Sequence, residues 1–217
     1  MQEYPYFQAN ILNDSVFLQY GGMTGTSSSA QRQAAYLSAE EQMTEHLSAF
    51  LVPTIVTGTS WYRGMTLFET EFGHITRVLS FSATVVDQLS PLQTSVHTGS
   101  ALIRNAEYGY LDVVLPCTYW NIYSNTVVYE SGLSTGTSSS TIMLAALTMA
   151  AQINLNEWDA SLTNEGVADV GVQSFSNQSY SEQRTKLGNT IFGNSAMAQR
   201  VARMTKKYRS KPSIRFR

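Results

Sequence analysis

Charge is scarce in this chain. Asp, Glu, Lys and Arg make up 14% of its 217 residues, against roughly 25% in an ordinary globular domain. A solitary soluble protein stays dispersed through surface charge, so this deficit points to a subunit partly covered by its neighbours. Cysteine is nearly absent. The single Cys117 excludes an internal disulfide; in its apolar, strand-like run it reads as a small buried hydrophobe rather than a nucleophile. The three histidines, His46, His74 and His97, are dispersed, and with one cysteine they offer no metal-ligand spacing, so no metal or cofactor is expected. The longest apolar stretch, around Ile142–Ile153, is well short of the roughly 20 residues that cross a bilayer, so no membrane partner is expected. The N-terminus MQEYPYFQAN has neither the basic start nor the apolar run of a signal peptide. These absences describe a chain made in the cytosol, or in a particle assembled there.

The charge that is present is split between the ends. Residues 184–217 hold ten of the 14 Lys/Arg and no Asp or Glu; the remainder holds only Arg32, Arg63, Arg77 and Arg104 against all 16 acids. The body is therefore a formal −12 (four minus sixteen) and the tail +10, and the net of −2 conceals both. An acidic body with a cationic end is suited to attach to nucleic acid or to an acidic protein surface.

Periodicity divides the chain. Residues 1–29 read as an N-terminal arm of short extended or helical pieces, ending in Thr24-Gly25-Thr26-Ser27-Ser28-Ser29. A helix is predicted from about Ala30 to Leu51, with Leu37, Met43, Leu47, Phe50 and Leu51 near one face and a capping box at Ser38–Glu41 as a possible break. Pro53 stops it. The apolar period then changes from 3.6 to 2. Strands are predicted at Thr66–Phe72, Ile75–Val86, Ala101–Arg104, Tyr110–Leu115 and Thr118–Tyr129, with Ile75, Arg77, Leu79, Phe81, Ala83 and Val85 sharing one side. The hexapeptide TGTSSS recurs at Thr135–Ser140. It opens a second helix, about Thr141–Trp158, and reads as a recurrent Ser/Thr turn rather than a duplicated unit. Val167, Val170, Val172 and Phe175 suggest a short extended segment. A last helix is predicted from the Ser179–Glu182 capping box to Tyr208, broken near Gly188 and Gly193, and Pro212 leaves a flexible tail. The fold class is α+β: a helical bundle core (30–58 and 134–209), an inserted antiparallel β lobe (59–133) and an extended basic C-terminal tail (210–217).

On the last helix, Met197, Val201, Met204 and Tyr208 fall within about 60° of one another, an apolar seam for core or subunit packing. Arg200, Arg203, Lys206 and Lys207 take the other flank. With Arg209, Lys211, Arg215 and Arg217 they form the candidate contact set.

Catalytic patterns are weak. Gly132-Leu133-Ser134-Thr135-Gly136 matches the nucleophile elbow G-x-S-x-G, but that fold places its His after the Ser and needs a parallel sheet. All three histidines precede Ser134, so Ser134 reads as part of a linker and no enzymatic activity is expected. Glu69 and Glu71 share a strand face and read as solvated carboxylates. Trp61, Tyr62, Trp120 and Tyr123 suit the core and rim of the lobe better than a ligand patch.

The order of elements, with Ser38-Ala39-Glu40-Glu41-Gln42, Gly58-Thr59-Ser60-Trp61, Glu165-Gly166-Val167, Ser174 to Tyr180 and Ala198 to Arg209, resembles the head–tail connector adaptors of tailed bacteriophages. That group includes the tail tubular protein A type. The resemblance spans residues 30–60 and 140–217. It implies a structural virion protein of the neck, assembled in the host cytoplasm as a ring of about twelve copies beneath the portal protein. It further implies a channel for DNA, tail or fibre proteins against the β lobe, and a basic C-terminal segment docked on the portal. The alternative from charge alone is a nucleic-acid-binding protein acting through residues 184–217.

Overall fold

The computed structural model describes residue 9 and residues 11–60, 67–86, 94–114, 122–163, 174–176, 181–183, 190–193 and 195–210. Cys117, Trp61, Tyr62, Trp120, Lys211, Arg215 and Arg217 lie outside them, as do Val167, Val170 and Val172 and the residues around Gly188. The chain is α+β, and it divides into two compact units, Met1–His46 with Gly136–Lys207 and Leu47–Thr135 with Tyr208–Arg217.

The first unit is helical. Helix α1 (Asp14–Gln19) is capped by Asn13, whose side chain accepts from the Val16 N–H, and it buries Phe17. Helix α2 (Ser29–Leu47) starts on a reciprocal cap: Gln31 Oε1 accepts from the Ser28 N–H at 2.7 Å, and Ser28 Oγ accepts from the Gln31 N–H at 3.3 Å. Its buried stripe of Ala35, Tyr36, Ala39, Glu40 and Met43 keeps the helical period. The expected break at Ser38 does not occur. Glu40 instead turns inward, and its carboxylate accepts the N–H groups of Ile11 (2.7 Å) and Leu12 (2.8 Å). The long helix α4 (Thr141–Thr163) follows a single helical turn, α3 (Thr135–Ser138). It buries Met143, Ala146, Leu147, Ala150 and Ala151, and α1 and the last helix both pack on it. Gln152 Oε1 accepts from the Met23 N–H at 2.7 Å. The two TGTSSS copies take different backbones: the first is a turn with Gly25 at φ 50, whereas the second contains helix α3. Identical letters here do not mark a structural repeat.

The second unit is a six-stranded sheet in the order β1-β6-β3-β4-β5-β2: β1 (Thr54–Ser60), β2 (Leu67–Glu69), β3 (Ile75–Val86), β4 (Thr94–Asn105), β5 (Tyr110–Val114) and β6 (Ile122–Ser131). Every described pairing among them is antiparallel. The sheet curls enough that Gly58 of edge strand β1 lies under Phe68 of the opposite edge strand β2. The enclosed core includes Val56, Phe68, Phe81, Leu111, Val127 and Tyr129.

Several expectations are corrected. The helix predicted to Leu51 ends at Leu47, because Ser48 takes a left-handed backbone at φ 51 and turns the chain; Phe50 and Leu51 are buried outside any helix. Strand β1 has no counterpart among the predicted strands, since its Gly58 and Ser/Thr content mask the alternation. The single-sided row on β3 also fails. Register shifts on either side of Arg77 and Val78 leave Thr76 and Leu79 without partners on β6. Ile75, Val78 and Phe81 therefore face the buried Ser131, Tyr129 and Val127, at spacing three, and Leu79 is 44% exposed. Ser181–Gln183 is not a helix start but strand β8, paired with β7 (Ser174–Ser176). Cross-strand pairing there overrides the local capping pattern. The last helix, α5, spans only Ala196–Thr205 and continues as a 3-10 turn to Tyr208.

Candidate partner-binding surface

Helix α5 begins where Ser195 accepts the Ala198 N–H on its hydroxyl at 3.0 Å. Its buried positions are Ala198, Val201 and Thr205, centred roughly 60° around the helix from the expected seam. Of the seam residues, Val201 is buried, Met204 and Tyr208 are half-buried and Met197 is 40% exposed. The Thr205 hydroxyl donates back to the Val201 carbonyl at 2.9 Å, which lets a polar side chain occupy the buried stripe. Arg200, Arg203, Lys206 and Lys207 are all exposed. Arg200 and Arg203 lie roughly opposite the buried stripe. Arg203 donates to Gln199 Oε1 at 3.3 Å. Among the described residues, Arg200 and Lys206 have no carboxylate partner.

Beyond the 3-10 turn the chain is fastened to the sheet unit. His74 places its ring Nε2, 3.0 Å away, as donor to the Tyr208 carbonyl. The Ser210 N–H donates to the Leu47 carbonyl at 2.9 Å, and its hydroxyl donates to the Ser48 carbonyl at 2.9 Å. The same Ser48 carbonyl accepts from the Gly73 N–H at 2.8 Å. Ser210 is fully buried, so the flexible tail expected from residue 210 cannot begin there. Two of the three residues that receive the strap have left-handed backbones, Ser48 at φ 51 and His74 at φ 50, a conformation that non-glycine residues hold only when their surroundings enforce it. Gly73 lies directly beneath: a Cβ there would sit 2.4 Å from the Ser210 Cβ and 2.1 Å from the Glu107 carbonyl oxygen. Between the two fastened residues sits Arg209. It is half-buried, and its Nε is enclosed with no acceptor among the described residues.

A second charged cluster ties α1 to α2. Arg32 donates from Nε to Asp14 Oδ1 (3.0 Å) and from Nη2 to Oδ2 (2.8 Å), and Tyr36 donates to Oδ1 at 2.8 Å. The Arg32 and Tyr36 hydrogen bonds hold the Asp14 carboxyl below its ordinary range, and the bond to Asp14 raises Arg32. Burial, reinforced by Asp14, pushes the Tyr36 hydroxyl up. Both arms of this cluster serve the fold.

The remaining sequence candidates stay apart. Ser134 is exposed in the connection after β6, a strand antiparallel to both its neighbours, not the parallel strand of an elbow. The His46 ring lies tilted against Phe192, centroids 5.3 Å apart, and the His97 ring Nε2 lies 3.0 Å from Ser95 Oγ. Glu69 and Glu71 are exposed. Among the described residues no three His, Cys, Asp or Glu are grouped to hold a metal, and no helix is long and apolar enough to cross a membrane. Sequence reasoning missed Ser48, Gly73, His74 and Ser210. Their partners lie as far as 162 residues away, and only the isolated Gly73 left a local mark.

No family model and no curated protein matches the chain. Among solved structures it is similar to a chain of the neck of an empty GTA particle (a phage-like gene transfer agent), computed with C6 symmetry. That similarity has a TM-score of 0.51 and 10% identity, and covers 92% of this chain and 93% of the other. At that identity the likeness is one of fold: mixed helix with an antiparallel half-barrel sheet.

Proposed function

We propose that this chain is a structural, non-enzymatic neck subunit of a phage-like particle. It forms a ring adaptor between portal and tail, with DNA passing through the ring and the basic C-terminal segment docked on the portal protein. The observation that carries this reading is the end-to-end likeness in fold to a neck chain, 92% against 93% coverage. The scarcity of charge on the body and the cations facing away from the core of α5 support it. Arg200, Arg203, Lys206, Lys207, Arg209, Lys211, Arg215 and Arg217 are the proposed contacts to portal or DNA. Tail or fibre proteins are the proposed partners of the sheet unit. Twelve copies are proposed for the ring; a sixfold axis accommodates six or twelve. Each weak tail contact then gains from the others through the ring.

The test is mass measurement of the protein alone, of the portal ring alone and of their mixture. A monomer that becomes a ring only on the portal is the expected result. Deleting Lys211–Arg217 is expected to abolish portal binding and leave affinity for a duplex nearly unchanged. A duplex affinity that the deletion removes, and that falls roughly 10³–10⁵-fold between 50 and 200 mM salt, would instead establish the nucleic-acid reading.

A further inference from the structure

We propose that Arg209 is the pre-organised anchor of the docking segment and receives a carboxylate of the partner protein, an inference that rests on the portal-docking reading. Three observations lead there. The backbone on either side of Arg209 is fixed in the free chain, by His74 at Tyr208 and by Leu47 and Ser48 at Ser210. Of the cations before it on the surface, Arg203 bonds only Gln199 and Arg200 has no carboxylate partner among the described residues. Second, the Arg209 Nε is enclosed without an acceptor among the described residues. A guanidinium donor shut away from water and left unmatched works against folding, and native chains retain such a group where something beyond the chain completes it. Third, Arg209 as a whole is half-buried rather than sealed, so part of the side chain is open to an incoming group, which reaches Nε as the atoms around it make way.

The chemistry of the missing acceptor follows from the fork. Nε–H together with one Nη–H forms a flat two-donor edge that matches the two oxygens of a carboxylate. A single Asp or Glu side chain needs the smallest opening beside the enclosed Nε, whereas the phosphates of a duplex lie on a thick rod that a recessed nitrogen does not meet.

The prediction has a sign that a structural role would not give. Arg209→Met keeps an apolar stem of similar length and removes the unmatched donor. The melting temperature of the free protein is expected to rise by about 2–4 °C. Affinity for the portal ring is expected to fall about 30-fold or more, as when one partner of a desolvated charge pair is truncated. Arg209→Lys, which keeps the charge and loses the fork, should not restore binding; Arg104→Met, at an exposed cation of strand β4 outside the contact set, should change it less than about 3-fold. A fall of several degrees for Arg209→Met would show that the side chain serves this chain's own fold, and wild-type portal affinity in that variant would show that the anchor is not used; either overturns the proposal. If the wild type itself fails to bind the portal, the docking reading falls, and the acceptor is judged with poly-L-glutamate and a 20-base-pair duplex as probes. Stabilisation by polyglutamate that disappears in Arg209→Met upholds a carboxylate partner, and stabilisation by the duplex alone refutes it.

Discussion

Gly73→Ala tests whether the strap at Ser210 is a real fastening. The added methyl would lie 2.1 Å from the Glu107 carbonyl oxygen and 2.4 Å from the Ser210 Cβ, both far inside contact distance, so either the sheet connection or the strap must move. Gly73 has no left-handed backbone, so alanine suffers no conformational penalty there and the effect is steric. If the strap stays, overpacking costs about 1–3 kcal/mol. If it lifts, the two Ser210 hydrogen bonds are lost at about 0.5–1.5 kcal/mol each. Either outcome is offset by about 0.4–1 kcal/mol from the smaller entropy of the unfolded alanine chain. The net is a destabilisation of about 1–2 kcal/mol, or a melting temperature lower by roughly 2–8 °C for a chain of this size. Limited trypsin digestion separates the two routes: a lifted strap frees the half-buried Arg209 and its backbone and accelerates cleavage after it, and an overpacked one does not. Gly136→Ala is the control, because a Cβ at Gly136 meets nothing within 4 Å and the residue is helical; it should be neutral or stabilising by up to about 1 kcal/mol. A Gly73→Ala protein that melts at or above wild type, with unchanged digestion, would refute the steric reading of this contact.

Two other perturbations report on separate parts of the chain. Leu79→Ser, at a bulged and exposed position, is expected to change stability by less than about 0.5 kcal/mol, whereas Phe81→Ala in the sheet core should cost about 3–5 kcal/mol; chemical denaturation of both variants decides between bulged and regular register. The Asp14 carboxyl is held below its ordinary range, so its contribution is present above about pH 4 and is lost as pH falls through its folded value. Asp14→Asn should therefore flatten the acid limb of the stability profile. The Tyr36 hydroxyl is displaced upward, so its contribution holds below about pH 10 and is lost as pH rises further. Tyr36→Phe should flatten the alkaline limb, and unchanged limbs in both variants would remove this cluster from the account of stability.

Much of the fold was legible because the signals were local. Strand β3 occupies the span Ile75–Val86 that alternation predicts, and the Ala-rich pattern after Ser140 predicts the start of α4. What local pattern cannot carry is register and long-range closure. Two bulges rotate Leu79 out of the face where strict alternation puts it. The helix through Leu47 ends on the left-handed Ser48 rather than on the proline five residues later, because Gly73 and Ser210 take up the carbonyl there. Ser181–Gln183 carries a capping pattern yet pairs as a strand. The cations along residues 200–209 were readable from the sequence alone, but not which of them the fold holds in place: that depends on hydrogen bonds with residues 47, 48 and 74.

The placement of the cations on α5 separates folding from function. The helix already has its cap at Ser195 and its buried stripe at Ala198, Val201 and Thr205, so its packing needs no charge. Interaction with the helix dipole accounts for Arg203, Lys206 and Lys207, which lie in or just beyond the last turn, where cations gain about 0.3–1 kcal/mol each. It does not account for Arg200. That residue lies a turn too early for the dipole to favour it and on the side away from the buried stripe, and has no carboxylate partner among the described residues. Under the proposed function, this exposed guanidinium, on the helix that leads directly to a fastened Arg209, takes its complement from outside the chain. If neutralising Arg200 by Arg200→Gln left every association of the protein unchanged, the charge there would be ordinary solvated surface, and the division of labour along residues 195–210 would have to be drawn elsewhere.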